Sequence, residues 1–161
     1  MKAAQFASVF VLAVSVLAAR DASAQTATQT VSYEVAAVDQ ISVSGSPSLV
    51  VNAATAGNAL TSATASGTYA VTTNGADRKI TASIDSNLPT GVTLTVTLGA
   101  PTGATSAGAV TLGTTAQDVV TGISTVNESG LAIDYGLSAS ITAGVVPAGN
   151  RTVTYTVTAG A

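Results

Sequence analysis

The residues able to do chemistry in this chain are few and scattered. It has no His, no Cys and no Trp. That removes Ser-His-Asp and Cys-His nucleophile systems and the usual His and Cys ligands of zinc. Asp77, Asp85, Asp118, Glu128 and Asp134 are the acids that a paired-carboxylate glycosidase mechanism would draw on. The four aspartates are also what loop-bound calcium would use, but no D-x-D-x-D-G run concentrates them. They fall at turns or on strand flanks, where acids serve solvation. Lys79 is preceded by no S-x-x-K motif, and as half of a Lys-Asn isopeptide crosslink it is a single lysine beside a turn. Asn127-Glu128-Ser129 and Asn150-Arg151-Thr152 match the acceptor sequon for N-glycosylation. The inventory implies a protein that is not an enzyme, with no catalytic residues, no bound metal and no cofactor.

Charge excludes further classes. Beyond residue 24 the bases are Arg78, Lys79 and Arg151, against Glu34, Asp39, Asp77, Asp85, Asp118, Glu128 and Asp134, for a formal net charge of −4. Nucleic-acid binding needs clustered Lys and Arg to neutralise phosphates, and anionic lipid needs a similar patch. Neither partner is expected. A surface so poor in charge is weakly defended against association, a liability for a free monomer and an asset for a subunit.

The N-terminus reads as an export signal. Lys2, an apolar run from Phe6 to Ala19 and the small-residue ending Ala22-Ser23-Ala24 predict a signal peptide over residues 1–24, removed before Gln25. The run is shorter than the ~20 residues a spanning helix needs. Later apolar runs are short and interleaved with Thr and Ser, so no membrane insertion of the mature chain is expected. The expected location is secreted, extracellular or at the cell surface. Residues 25–161 suffice for one domain with its own core, which must hold together without disulfides.

Period-two alternation predicts what positions the side chains. Val92, Leu94, Val96 and Leu98 alternate with threonines; Leu131, Ile133, Tyr135, Leu137, Ala139 and Ile141 alternate with smaller or polar residues; Val153, Tyr155 and Val157 alternate with Thr152, Thr154, Thr156 and Thr158. Such spacing marks strands with one face buried, and Thr and Val suit a pleated surface. Asn74-Gly75, between a run with Tyr69 and Val71 and a run with Ile80, Ala82 and Ile84, predicts a hairpin. Further turns are expected at 45–47, 87–91, 99–108, 127–130 and 147–150. The low-complexity stretches 53–68 and 99–109 read as exposed loops or thin edge strands. The expected fold is all-β: a single antiparallel β-sandwich, immunoglobulin-like or jelly-roll-like, of about eight or nine strands.

The segment 25–43 carries the sharpest signal of the mature chain. Val31, Tyr33, Val35, Ala37, Asp39, Ile41 and Val43 put an apolar face, interrupted only by Asp39, on alternate residues behind a polar run from Gln25. At ~3.3 Å per residue this exceeds a usual strand of ~5 to 6 residues. Either it is an internal strand that bends near residues 37–39, or its first part is an arm that pairs with another subunit. Residues 44–161 make the sandwich domain.

A cleaved leader, an alternating N-terminal segment and one Thr-, Val-, Ala- and Gly-rich sandwich together resemble exported bacterial pilus and coat subunits, including pilins joined by donor strands. Unlike chaperone-usher pilins the chain lacks a disulfide, and it ends in Thr158-Ala159-Gly160-Ala161 rather than with a penultimate Tyr. The resemblance implies a homo-polymer built through the N-terminal segment, with Val31, Tyr33, Val35 and Ala37 filling pockets in a neighbour. The alternative is a monomeric secreted binding module, an adhesin or carbohydrate-binding domain, using loops at one end of the sandwich. Such a module relies on aromatic platforms, and Phe6 and Phe10, the only phenylalanines, both lie in the leader.

Overall fold

The computed structural model describes residues 24–160. The expected signal peptide, apart from Ala24, lies outside the described residues. The chain divides after Glu34. Residues 24–34 form no helix or strand, and each is exposed.

From Val35 onward the protein is a two-sheet antiparallel sandwich. Its strands are β1 (Asp39–Ser44), β2 (Ala63–Thr73), β3 (Arg78–Ile84), β4 (Val92–Leu98), β5 (Thr105–Ser106), β6 (Val110–Thr111), β7 (Gln117–Ile123), β8 (Val126–Ala139) and β9 (Val153–Ala159). One sheet has the order β1-β2-β8-β4-β6 and the other β5-β7-β3-β9. The nine strands agree with the expected fold class and count.

Successive strands change sheet at every step after β2. This overturns the expected hairpin at Asn74-Gly75, because β2 and β3 belong to different sheets. Residues 74–77 cross between the layers, with Asp77 at φ 49 making the bend. The Thr73 hydroxyl accepts the Gly75 N–H, and the Ser124 hydroxyl accepts that of Asp77. A turn signal reports a change of direction, which a crossing and a hairpin share.

The core is what alternation selects. Ile80 and Ala82 of β3, Val96 and Leu98 of β4, Val119, Val120 and Ile123 of β7, Tyr69 and Val71 of β2, and Ile133 of β8 are all buried. In β8 the phase is corrected midway. Tyr69 faces Leu131 but Val71 faces Glu128, so Ser129-Gly130 is a bulge opposite Ala70, with Gly130 at φ 70. The inward set therefore shifts from Val126 and Glu128 to Leu131, Ile133, Tyr135 and Leu137. The expected turn at 127–130 is thus a bulge inside one long strand, where the extra residue adds local twist. At the other end β8 stops at Ala139, and Ile141 opens a 3-10 turn with its side chain exposed.

Small residues also serve close approach. Part of the low-complexity stretch 53–68 is the start of β2, where a Cβ on Gly67 would meet the Ser44 carbonyl oxygen at 2.8 Å. In the other such stretch Pro101 is fully buried and Ser106 donates to the Leu98 carbonyl.

The burial pattern yields a direct test. Replacing Val96, which is 0% exposed, by Asp should cost about 4 kcal/mol or more, because the charge enters an apolar core without a partner. Thr154→Asp, on the exposed phase of β9, should stay within about 0.5 kcal/mol. Thr95 is a poorer control, since it is half-buried and its hydroxyl donates to the Gly136 carbonyl at 3.3 Å. Urea unfolding of both variants checks the assigned phase; similar losses would show it to be wrong.

Candidate assembly site

Two features bear on association: the N-terminal segment and the sheet edges. Of the alternating segment 31–43, read as an internal strand or a donor arm, only the part from Asp39 is strand, in β1 (Asp39–Ser44). Its partner sets the limit. Asp39 pairs with Thr73, the last residue of β2, so no ladder exists for the residues before it. Asn74 replaces the ladder there. Its side-chain oxygen accepts the Val38 N–H at 2.8 Å, its amide nitrogen donates to the Ala36 carbonyl at 2.8 Å, and its backbone N–H reaches the Val38 carbonyl at 3.3 Å.

Val31, Tyr33, Val35 and Ala37 lie in no strand, and all four are exposed. Val31, Tyr33 and Val35 are 74%, 94% and 85% exposed, so large apolar side chains at period two face solvent. Within the unit that begins at Val35, neither Val35 nor Ala37 belongs to the hydrophobic core. Isolated exposed apolar residues are ordinary; three on alternate positions of one segment have the spacing of a strand face.

The sheets end in edges of unequal kind. On one side the segment 99–116, carrying β5 and β6, closes the sandwich with buried Pro101 and Leu112. On the other side β1 and β9 lie next to each other. Among the described residues β1 pairs only with β2, and β9 only with β3. Burial falls off toward this side. Ile80, Ala82 and Ile84 are 0%, 0% and 4% exposed, whereas their β9 partners Val157, Tyr155 and Val153 are only half-buried. Tyr69 and Val71 are buried, while their β1 partners are the exposed Val43 and the half-buried Ile41.

Polar contacts tie the two layers together near these edges. Asp39 of β1 accepts from the Thr73 hydroxyl at 2.6 Å and lies 3.2 Å from Arg78 Nε of β3. The Tyr135 and Tyr155 hydroxyls, on β8 and β9, meet at 2.8 Å. Burial, then the hydrogen bond to Tyr135, pushes the Tyr155 phenol well above its ordinary range. Tyr69, whose hydroxyl donates to the Gly99 carbonyl, is pushed up to about 12 by burial and secondarily by the negative charge of Glu128.

The acids singled out as chemical candidates remain apart. Asp118 pairs with Lys79 at 3.1 Å, Asp134 accepts from the Ser66 hydroxyl, and Glu128 accepts the Thr102 N–H. The Asp77 carbonyl takes the Gly160 N–H, and Asp85 lies beside the Ser86 hydroxyl. Lys79 thus faces a carboxylate rather than an Asn. Among the described residues no group of three or more His, Cys, Asp or Glu is placed to hold a metal ion, and no helix is long and apolar enough to cross a membrane. A depression of about 370 Å³ between residues 87–94 and Thr111-Leu112 is lined without any ionisable side chain.

Comparison with known proteins returned nothing significant: no family model, curated protein or solved structure matches the chain. The missed features are the edges, since alternation reveals a strand but not how many neighbours it has.

The tyrosines give a pH prediction with a defined sign. Both phenols are held neutral in the folded state, while an unfolded tyrosine ionises near ~10. Above that pH the unfolded chain binds fewer protons than the folded one, so stability falls as pH rises. The urea midpoint should be flat from about pH 7 to 9 and fall between about pH 10 and 12, and Tyr69→Phe should reduce the slope. A midpoint unchanged up to pH 12 would contradict the buried, neutral phenols.

Proposed function

We propose that this protein is a structural, self-associating subunit of an extracellular filament, pilus or surface coat, and that it works by β-strand addition rather than by turnover. The observation that carries the reading is the exposed, alternating apolar face of Val31, Tyr33 and Val35 in a segment that belongs to no strand. A segment of that pattern gains main-chain hydrogen bonds and an apolar lining together when it joins the edge of another sheet. The low charge of the surface favours such contact. The N-terminal segment is the donor, with Val31, Tyr33, Val35 and Ala37 setting register, since a slip of one residue would turn their face outward.

Deletion of residues 25–35 tests the role. These residues supply no strand and leave the Asn74 contacts to Ala36 and Val38 in place. The truncated protein should keep its β-type circular dichroism and a melting midpoint within about 4 °C of the full chain. It should run as a monomer in gel filtration and bind a synthetic peptide of residues 25–38. Filaments formed without the segment would contradict strand donation, and so would failure to bind the peptide.

A further inference from the structure

We infer that the acceptor for the N-terminal segment of a second copy is the free edge of β9, so that residues 25–38 of one subunit extend the four-stranded sheet of the next. This rests on the strand-addition reading and adds the partner surface. Four edges are available: β1 and β6 in one sheet, β5 and β9 in the other. β5 and β6 are two residues each, too short for a ladder that must hold subunits together. β1 and β9 remain, with six and seven residues.

Three observations separate them. The inward positions of β9 are Val153, Tyr155 and Val157, all apolar and all half-buried. Those of β1 are Asp39, Ile41 and Val43, and Asp39 is engaged with Arg78 and Thr73. An added strand whose apolar face is Val31, Tyr33 and Val35 therefore finds three matching neighbours at the same period on β9, and a carboxylate among three on β1.

Charge points to the same edge. The strands of the β1 sheet carry Asp39, Glu128 and Asp134 and no base. The strands of the β9 sheet carry Arg78 and Lys79 against Asp118. Arg151 precedes β9 by two positions and is held by the Asn87 and Asn150 carbonyls, with no carboxylate in ion-pair range among the described residues. The only charged residue in 25–38 is Glu34. Arg78 and Lys79 are paired with Asp39 and Asp118, and Asp77 and Asp85 lie beside the two ends of β9, so what β9 offers Glu34 is Arg151; the β1 sheet offers acids only, where like charges oppose association.

The third observation is covering. Beside β9, the added strand removes Val153, Tyr155 and Val157 from water together with its own apolar face, and makes the sandwich five strands on five. Bare edges are where sheets recruit further chain.

Hydrogen exchange on the full-length chain, below and above its assembly concentration, reads the edge without assuming a register. Assembly should slow exchange in 25–38 and in Val153–Ala159 by at least tenfold, with Asp39–Ser44 unchanged. Slowing in 25–38 together with Asp39–Ser44 would overturn the β9 assignment while leaving strand addition standing. Absence of slowing in 25–38, or absence of assembly, would overturn both. Glu34→Lys should raise the concentration needed for assembly about two- to fivefold at low salt and have no effect in ~1 M salt, where screening is nearly complete. A raised threshold that persists in high salt, or none at low salt, would contradict the electrostatic part of the assignment.

Discussion

Face-to-face burial of the two sheets is the constraint on which everything else in this protein depends. With no cysteine in the chain and few ion pairs, the fold rests on Tyr69, Val71, Ile80, Val96, Leu98, Val119, Val120, Ile123 and Ile133. Each is supplied by a strand whose neighbours on both sides keep water away. Where a strand has only one neighbour, the same kind of side chain is left half in water. The protected centre and the deficient margin at β1 and β9 therefore share one cause.

Alternation made most of the sandwich legible in the sequence. The inward phases of β4, β9 and the second half of β8 follow from Val, Leu, Ile and Tyr at every second position. Three things were hidden for physical reasons. Asn74-Gly75 marks a change of direction, but whether the chain returns beside itself or crosses to the other layer depends on distant partners such as β8, which takes the place beside β2. The bulge at Ser129-Gly130 looks like a turn because glycine at positive φ serves both. The N-terminal limit of β1 is set by where β2 ends, thirty-odd residues away.

The candidate site was legible on one side only. Val31, Tyr33, Val35 and Ala37 show their pattern in the sequence because a strand face is a local property. A bare edge is defined by a missing neighbour, which no local pattern records; the edge proposed as acceptor is distinguished by the burial gradient between β3 and β9. The bridges Asp39 to Arg78 and Tyr135 to Tyr155 give that margin polar order across the layers, so the edge is held in shape while its apolar residues remain partly uncovered.

The proposed subunit joins others through the apolar N-terminal pattern and a bare edge, with little charge to oppose contact. Electron microscopy of the full-length chain at rising concentration tests that claim most directly. Regular fibres of constant width, appearing above a threshold concentration, are the predicted result. A monodisperse monomer at every concentration would contradict it.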